Sequence, residues 1–323
     1  MLEVPNLYDV FRARRTIAPH LAPTPLVRSR GLSRLLDCDC YLKLETLQPI
    51  GAFKVRGGIN YMASLDEAAR RRGVITASTG NHGQSIAYAA RQFGVPCTIA
   101  APEGSNPLKV AAMRDLGATV VLTGKDFDEA RLWVESEVRA KGIPYVHSAN
   151  EPLLIAGVGT LSLEVMEALP DADAILVPIG GGSGASGHCI VAKTINPRTQ
   201  VIGVQAERAP AAWRSWREKR LLEEPSADTA AEGMATRVAF ELTMRILWER
   251  LDDFVLVSEE ELRDAVAGML EHGRVLAEHA GAAPLAAAIK LRDRLRGRKV
   301  VLIVSGGNIT MDQLRHLLAS APA

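Results

Sequence analysis

The sequence predicts an α/β protein of parallel-rich sheets flanked by helices, with a small α/β domain inserted in a larger one. Three observations carry that expectation. Short apolar runs alternate with helix-period segments from residue 74 onward. Polar or glycine-rich loops follow several of these runs, where parallel sheets carry their ligand sites. The chain has 323 residues, 47% of them hydrophobic, enough for one large core or two smaller ones.

The elements follow in order. Residues 7–17 form an amphipathic helix, and Thr24-Pro25-Leu26-Val27 is extended because a residue before proline avoids the helical region. A short helix at 32–36, an alternating strand at 40–45 and a helix at 54–65 come next. Then strands at 74–77, 97–101 and 119–122 alternate with helices at 85–93, 107–116 and 127–140. A second run places helices at 153–168 and 185–194 around strands at 174–178 and 201–205. Residues 210–220 form a polar helix with Trp213 and Trp216, and 223–232 a loop. Helices at 234–251, 259–272, 284–295 and 311–318 accompany strands at 254–257 and 300–304. Turns near Gly73 and His147 mark the boundaries: 74–147 is the small domain, and 1–73 with 148–323 the large one.

Charge and composition exclude several function classes. There are 38 basic and 37 acidic residues, so no excess charge favours nucleic acid or an anionic membrane. No apolar run approaches the roughly 18 residues of a membrane span. Met1-Leu2-Glu3-Val4-Pro5 lacks the basic and apolar regions of a signal peptide. Cys38, Cys40, Cys97 and Cys189 form no Cys-x-x-Cys pair and read as buried thiols of a cytoplasmic protein.

Four segments carry chemistry. Lys54 sits beside Phe53 where a strand and its turn give way to a helix. The positive end of a helix dipole disfavours a cation, so a lysine there tends toward a lowered pKa. The loop Ser78-Thr79-Gly80-Asn81-His82 follows a strand end and offers polar groups to a carboxylate or a phenolic oxygen. Asn81 also suits a helix N-cap, and His82 alone reads as a packed or capping histidine. The third segment, Gly180-Gly181-Gly182-Ser183-Gly184, joins an apolar strand to an apolar helix and suits a phosphate. It overlaps a dinucleotide fingerprint, Gly182-Ser183-Gly184-Ala185-Ser186-Gly187, with Glu207 about 20 residues beyond. The loop alone therefore leaves a nicotinamide dehydrogenase open. The fourth segment, Ser305-Gly306-Gly307-Asn308, taken alone is an ordinary turn at a strand end.

Together these residues resemble the fold type II pyridoxal-phosphate enzymes, specifically the threonine/serine dehydratase and serine racemase group. The motifs occur in the family's order over nearly the whole chain. Gly51-Ala52-Phe53-Lys54-Val55-Arg56-Gly57 resembles the Schiff-base segment, and the resemblance makes Lys54 the catalytic lysine. It implies that Ser78, Thr79, Gly80, Asn81 and His82 hold the substrate carboxylate, with Asn81 reaching the cofactor's phenolic oxygen. It assigns the phosphate to Gly180, Gly181, Gly182, Ser183 and Gly184, and places Gly233 of Thr229-Ala230-Ala231-Glu232-Gly233 near the cofactor ring. Ser305 falls where the family sets a hydroxyl or thiol against the pyridine nitrogen, and residues 278–283 resemble another family segment. Pyridoxal 5'-phosphate, an amino-acid substrate and a homo-oligomer are thereby implied.

The implied reaction is removal of water by β-elimination from a 3-hydroxy amino acid, giving a 2-oxo acid and ammonia. An amino-acid racemase is the alternative within the family. Departures from the pattern refine this. Ala52 replaces the usual serine and Val158 a frequent glutamine, which favours a bulkier substrate such as phenylserine. Thr79 stands where racemases carry a second catalytic serine. Gln205 and residues 209–212 lack the family's divalent-cation acids, so no metal is carried over. The chain ends soon after Ser305, leaving no room for the regulatory domain of biosynthetic dehydratases.

Overall fold

The computed structural model describes residues 2–320. In chain order the strands are β1 Leu26–Arg28, β2 Asp39–Leu44, β3 Val74–Ala77, β4 Cys97–Ala101, β5 Thr119–Leu122, β6 Ala174–Pro178, β7 Gln200–Ala206, β8 Asp253–Val257 and β9 Lys299–Val304. The chain divides into two compact units, Met1–Ala22 with Lys54–Thr160, and Pro23–Phe53 with Leu161–Ala323.

The second unit holds a six-stranded sheet in the order β1-β2-β9-β6-β7-β8. Only β1 runs antiparallel, pairing Leu26 with Lys43. Elsewhere the register is parallel, with Leu44 opposite Val304, Ala174 opposite Val300 and Pro178 opposite Val204. Strands β6, β7 and β9 are buried nearly throughout, as an apolar run with helices on both faces requires. Helix His279–Lys290 packs on β6 and β9 through alanines and Leu285, sharing a core with Leu176, Ile202, Val204 and Leu302.

The first unit holds β3, β4 and β5 in that order, all parallel. Ile75, Ala77 and Ala100 meet Ala130 and Val134 of helix Phe127–Lys141. Helix Val55–Ser64 lies against Asn81–Phe93, so closely that a Cβ at Gly58 would sit 2.5 Å from Ser85 Oγ. This packing explains why the compact unit is larger than residues 74–147. It also gathers 1–22, 54–73 and 148–160, because the apolar faces of these helices are spent on one another.

Helix ends differ most from the pattern reading. A short helix, Glu67–Arg72, forms because Asp66 Oδ1 accepts the Ala69 N–H at 2.7 Å. The segment expected as a helix over 234–251 is a single 3-10 turn, Glu232–Met234, then a helix at Glu241–Arg250. The helix expected to start at Pro284 starts at His279, and Pro284 lies inside it. Small side chains let this segment approach closely: a Cβ at Gly281 would lie 2.3 Å from the Gly306 carbonyl oxygen. Tertiary packing here outweighs the hydrogen bond that proline forfeits.

A buried polar knot anchors β2. Lys43, 1% exposed, pairs with Glu164 and donates to the Thr24 carbonyl at 2.6 Å. Thr24 Oγ1 donates to buried Glu45 at 2.5 Å. Removing one member leaves a buried charge, which is costlier than never having built the pair. Glu164→Ala is expected to lower stability by about 3 kcal/mol, while Lys43→Met with Glu164→Leu should recover most of that loss. Urea denaturation of the three proteins measures it; a parental midpoint in Glu164→Ala would refute the assignment.

Candidate active site

In the larger unit, strand ends and loops assemble around glycines. Strand β6 ends at Pro178, and helix Ser183–Ile195 starts with Gly182 as its cap at φ +89°. That φ lies in the left-handed region where a side chain is strained, and a Cβ there would also meet Thr243 at 3.0 Å. A Cβ at Gly180 would lie 2.2 Å from the Gly233 carbonyl oxygen, so these two glycines are in direct backbone contact. Gly233 in turn faces the Ala280 methyl at 3.1 Å from its own missing Cβ. Thr243 Oγ1 donates to the Gly181 carbonyl at 2.9 Å, which fixes the loop. The result is bare backbone ahead of a helix whose first N–H groups have no carbonyl four residues back.

Phe53 joins this arrangement from another part of the chain. Its ring lies 3.2 Å from where a Cβ at Gly184 would stand. Its N–H donates to the Ser305 carbonyl at 3.0 Å, and Ala52 bridges Gly306. The Gly307 N–H donates to the Gly51 carbonyl at 2.9 Å, and Asn308 Nδ2 to the Ile50 carbonyl at 2.8 Å. Residues 305–308 therefore clasp residues 50–53 instead of forming an ordinary turn. Phe53, Gly180, Gly184, Gly233 and Ser305, far apart in sequence, are linked through these contacts.

In the smaller unit, Lys54 is the helical-conformation residue that leads into Val55–Ser64. It is half-buried, and its carbonyl accepts the Ser85 hydroxyl at 2.6 Å. Ser78 Oγ accepts the N–H groups of Gly80 at 3.1 Å and Gly83 at 2.8 Å, closing the loop after β3. The helix begins at Asn81 with Gly80 as cap, so Asn81 is its first residue and not its N-cap. Thr79 and Asn81 are half-buried.

His82 points into the protein. Its Nε2 lies 2.9 Å from Thr76 Oγ1 and 3.2 Å from the Val146 carbonyl. Burial, reinforced by the positive charge of Lys54, pushes its pKa down to about 3. The ring is a neutral, packed group, and any part of His82 in binding falls to its backbone. Sequence reasoning passed over Thr243, and it singled out residues 305–308 without their contact to residues 50–53, since the partners in each case lie far away in the chain.

The loop passes a direct test for a phosphate ester. Its glycines are required by close backbone approach, its helix start attracts an anion, and an aromatic ring covers Gly184. A profile described as "Pyridoxal-phosphate dependent enzyme" matches residues 17–306. The chain belongs to that family. An L-threonine ammonia-lyase of Thermotoga maritima is 41% identical over 316 residues, covering 97% of this chain and 78% of its own. The structure of maize serine racemase superimposes with a TM-score of 0.92 at 29% identity, covering 98% of both chains. The processed form of threonine deaminase isoform 2 from Solanum lycopersicum superimposes with a TM-score of 0.90 at 30% identity, covering 100% of this chain and 97% of its own.

Membership answers what the glycine loop left open: the cofactor is pyridoxal phosphate, and the chain is an enzyme of the pyridoxal-phosphate lyases. The fold agrees, with parallel-rich sheets flanked by helices. Among the described residues no helix is long and apolar enough to cross a membrane.

Gly180→Ala must push the two loops apart by an ångström or more, since its Cβ would fall 2.2 Å from a backbone oxygen. The variant is expected to fold yet lose bound cofactor on dialysis. Parental cofactor absorbance with parental circular dichroism would show that this loop does not hold the phosphate.

Proposed function

We propose that this enzyme removes water from a 3-hydroxy amino acid of the threonine and serine type, giving a 2-oxo acid and ammonia. The observation that carries this reading is the pair of contacts made by Phe53, the residue bonded to Lys54, with Gly184 and with Ser305. The ammonia-lyase and deaminase relatives support it, with racemases as structural neighbours. Thr79, in place of a serine, weighs against racemisation.

Each residue has a role in this reading. The loop of Gly180, Gly181, Gly182, Ser183 and Gly184 would hold the cofactor phosphate, and Lys54 would be its point of covalent attachment. Pyridoxal phosphate supplies the electron sink for the pair left at the substrate α-carbon. Lys54 Nζ, once free, would be the base that takes the substrate α-proton. Thr79, Asn81 and the helix start hold the substrate carboxylate, while Ser78 keeps their loop in shape. The net loss is water, made up of the α-proton and the β-hydroxyl together, and hydrolysis of the product would release ammonia. Ser305 would supply a hydroxyl to the cofactor ring, a group that can donate a hydrogen bond but carries no negative charge to hold a pyridinium protonated.

Lys54→Ala is expected to lower turnover of threonine by at least 10²–10⁴-fold, the general-base contribution alone. The borohydride-reducible absorbance near the visible edge should vanish as well. A variant that kept both would disprove the role of Lys54.

The site also favours larger side chains. Ala52 and Val158, 0% and 3% exposed, are apolar where serine and glutamine would offer polar groups. Ala52→Ser with Val158→Gln is expected to lower the ratio of kcat/KM for phenylserine over threonine. An unchanged or rising ratio would remove the case for a bulky substrate without touching the reaction class.

A further inference from the structure

The smaller unit holds a second lysine beside the loop of residues 78–82. Lys109 is the third residue of helix Pro107–Asp115 and is only 7% exposed. Its neighbours Pro107 and Leu108 are exposed, as the first turn of a surface helix should be. A lysine in such a turn ordinarily lays its stem on the protein and keeps its ammonium in water. Here the whole side chain is taken in and lies along Gly80. A Cβ at Gly80 would stand 3.4 Å from Lys109 Cδ and 3.7 Å from Lys109 Nζ.

Helix packing puts the lysine there. Met113, one turn beyond Lys109 on the same face, fills the space where Gly83 would carry a Cβ. Ser78 Oγ accepts the N–H groups of Gly80 and Gly83, which holds the loop against that face. Lys109 is thereby fixed beside the cap of helix Asn81–Phe93.

Two positive features meet at this point. A helix start carries about half a positive charge, and the ammonium adds a full one. They repel each other, and a buried ammonium is already costly. An anion at the loop relieves both. Lys54 cannot supply the charge for that anion, because a base must be neutral when it takes a proton.

We propose that Lys109 is a specificity residue whose ammonium makes the loop select an α-carboxylate. This rests on the reading of residues 78–82 as the carboxylate site. The carboxylate passes unchanged from amino acid to 2-oxo acid, so the ammonium stabilises substrate and transition state alike. Its contribution falls on KM and not on kcat.

Calorimetry on the cofactor-loaded protein tests this with L-alanine, which has no β-hydroxyl to lose, and L-alaninol, which keeps the amine without the carboxylate. The parental protein should bind alanine at least tenfold more tightly than alaninol. Equal binding would overturn the reading of the loop, and this inference with it. Lys109→Met keeps the length of the side chain without its charge. It should weaken alanine by roughly ten- to a hundredfold, leave alaninol unchanged, and raise KM for threonine by the same factor at parental kcat. Lys109→Arg should recover most of the alanine affinity. With the parental preference intact, a Lys109→Met variant that binds alanine at parental strength would overturn the role of Lys109 alone. So would equal losses for alanine and alaninol, or a Lys109→Arg variant as weak as Lys109→Met. Lys109→Gln takes the place of Lys109→Met should that variant not fold. Failure of both to fold would assign Lys109 to the fold and overturn the proposal.

Discussion

The hydrogen bond from the Phe53 N–H to the Ser305 carbonyl is the constraint on which the site depends. With the bonds from Gly307 to Gly51 and from Asn308 to Ile50, it ties the segment before Lys54 to the end of β9. Each such bond is worth about 0.5–1.5 kcal/mol net, but the geometric effect is larger than the sum. Three bonds over four residues leave the backbone little freedom, so the Phe53 ring is delivered onto Gly184 in one orientation.

Backbone, more than side chains, forms the glycine loop proposed to receive the phosphate. Gly180 touches Gly233, Gly182 takes a left-handed turn, and Thr243 ties down the Gly181 carbonyl. A site of N–H groups at a helix start needs no lysine or arginine to receive an anion. It also needs no rearrangement, because the parallel strands that end there are buried on both faces and cannot shift independently. On the other unit, Ser78 does comparable work for the loop before Asn81, using one hydroxyl to close two N–H groups.

His82 and Asn81 show how adjacent residues part company. Both follow a glycine at a strand end, and the family resemblance set both against the substrate carboxylate. A helix that starts at Asn81 turns successive side chains by about 100°, so one faces outward and the next goes into the core. Burial then keeps His82 neutral, and its ring is spent on Thr76 and Val146.

The sequence by itself determined the alternation of strands and helices, the parallel sheets and the glycine loop, because each is written in local period and composition. It also singled out Lys54 and the family it belongs to, through motifs only a few residues long. Tertiary structure alone decided what depends on distant partners. The helix at His279 runs through Pro284 because Gly281 packs on Gly306. The smaller unit takes in helices from residues 1–22 and 54–73 because Val55–Ser64 spends its apolar face on Asn81–Phe93. Contacts between Phe53 and Gly184, or Gly180 and Gly233, join residues with no periodic relation. Such pairings carry no signal in any window of the chain, since they are fixed by close packing after the sheets have formed.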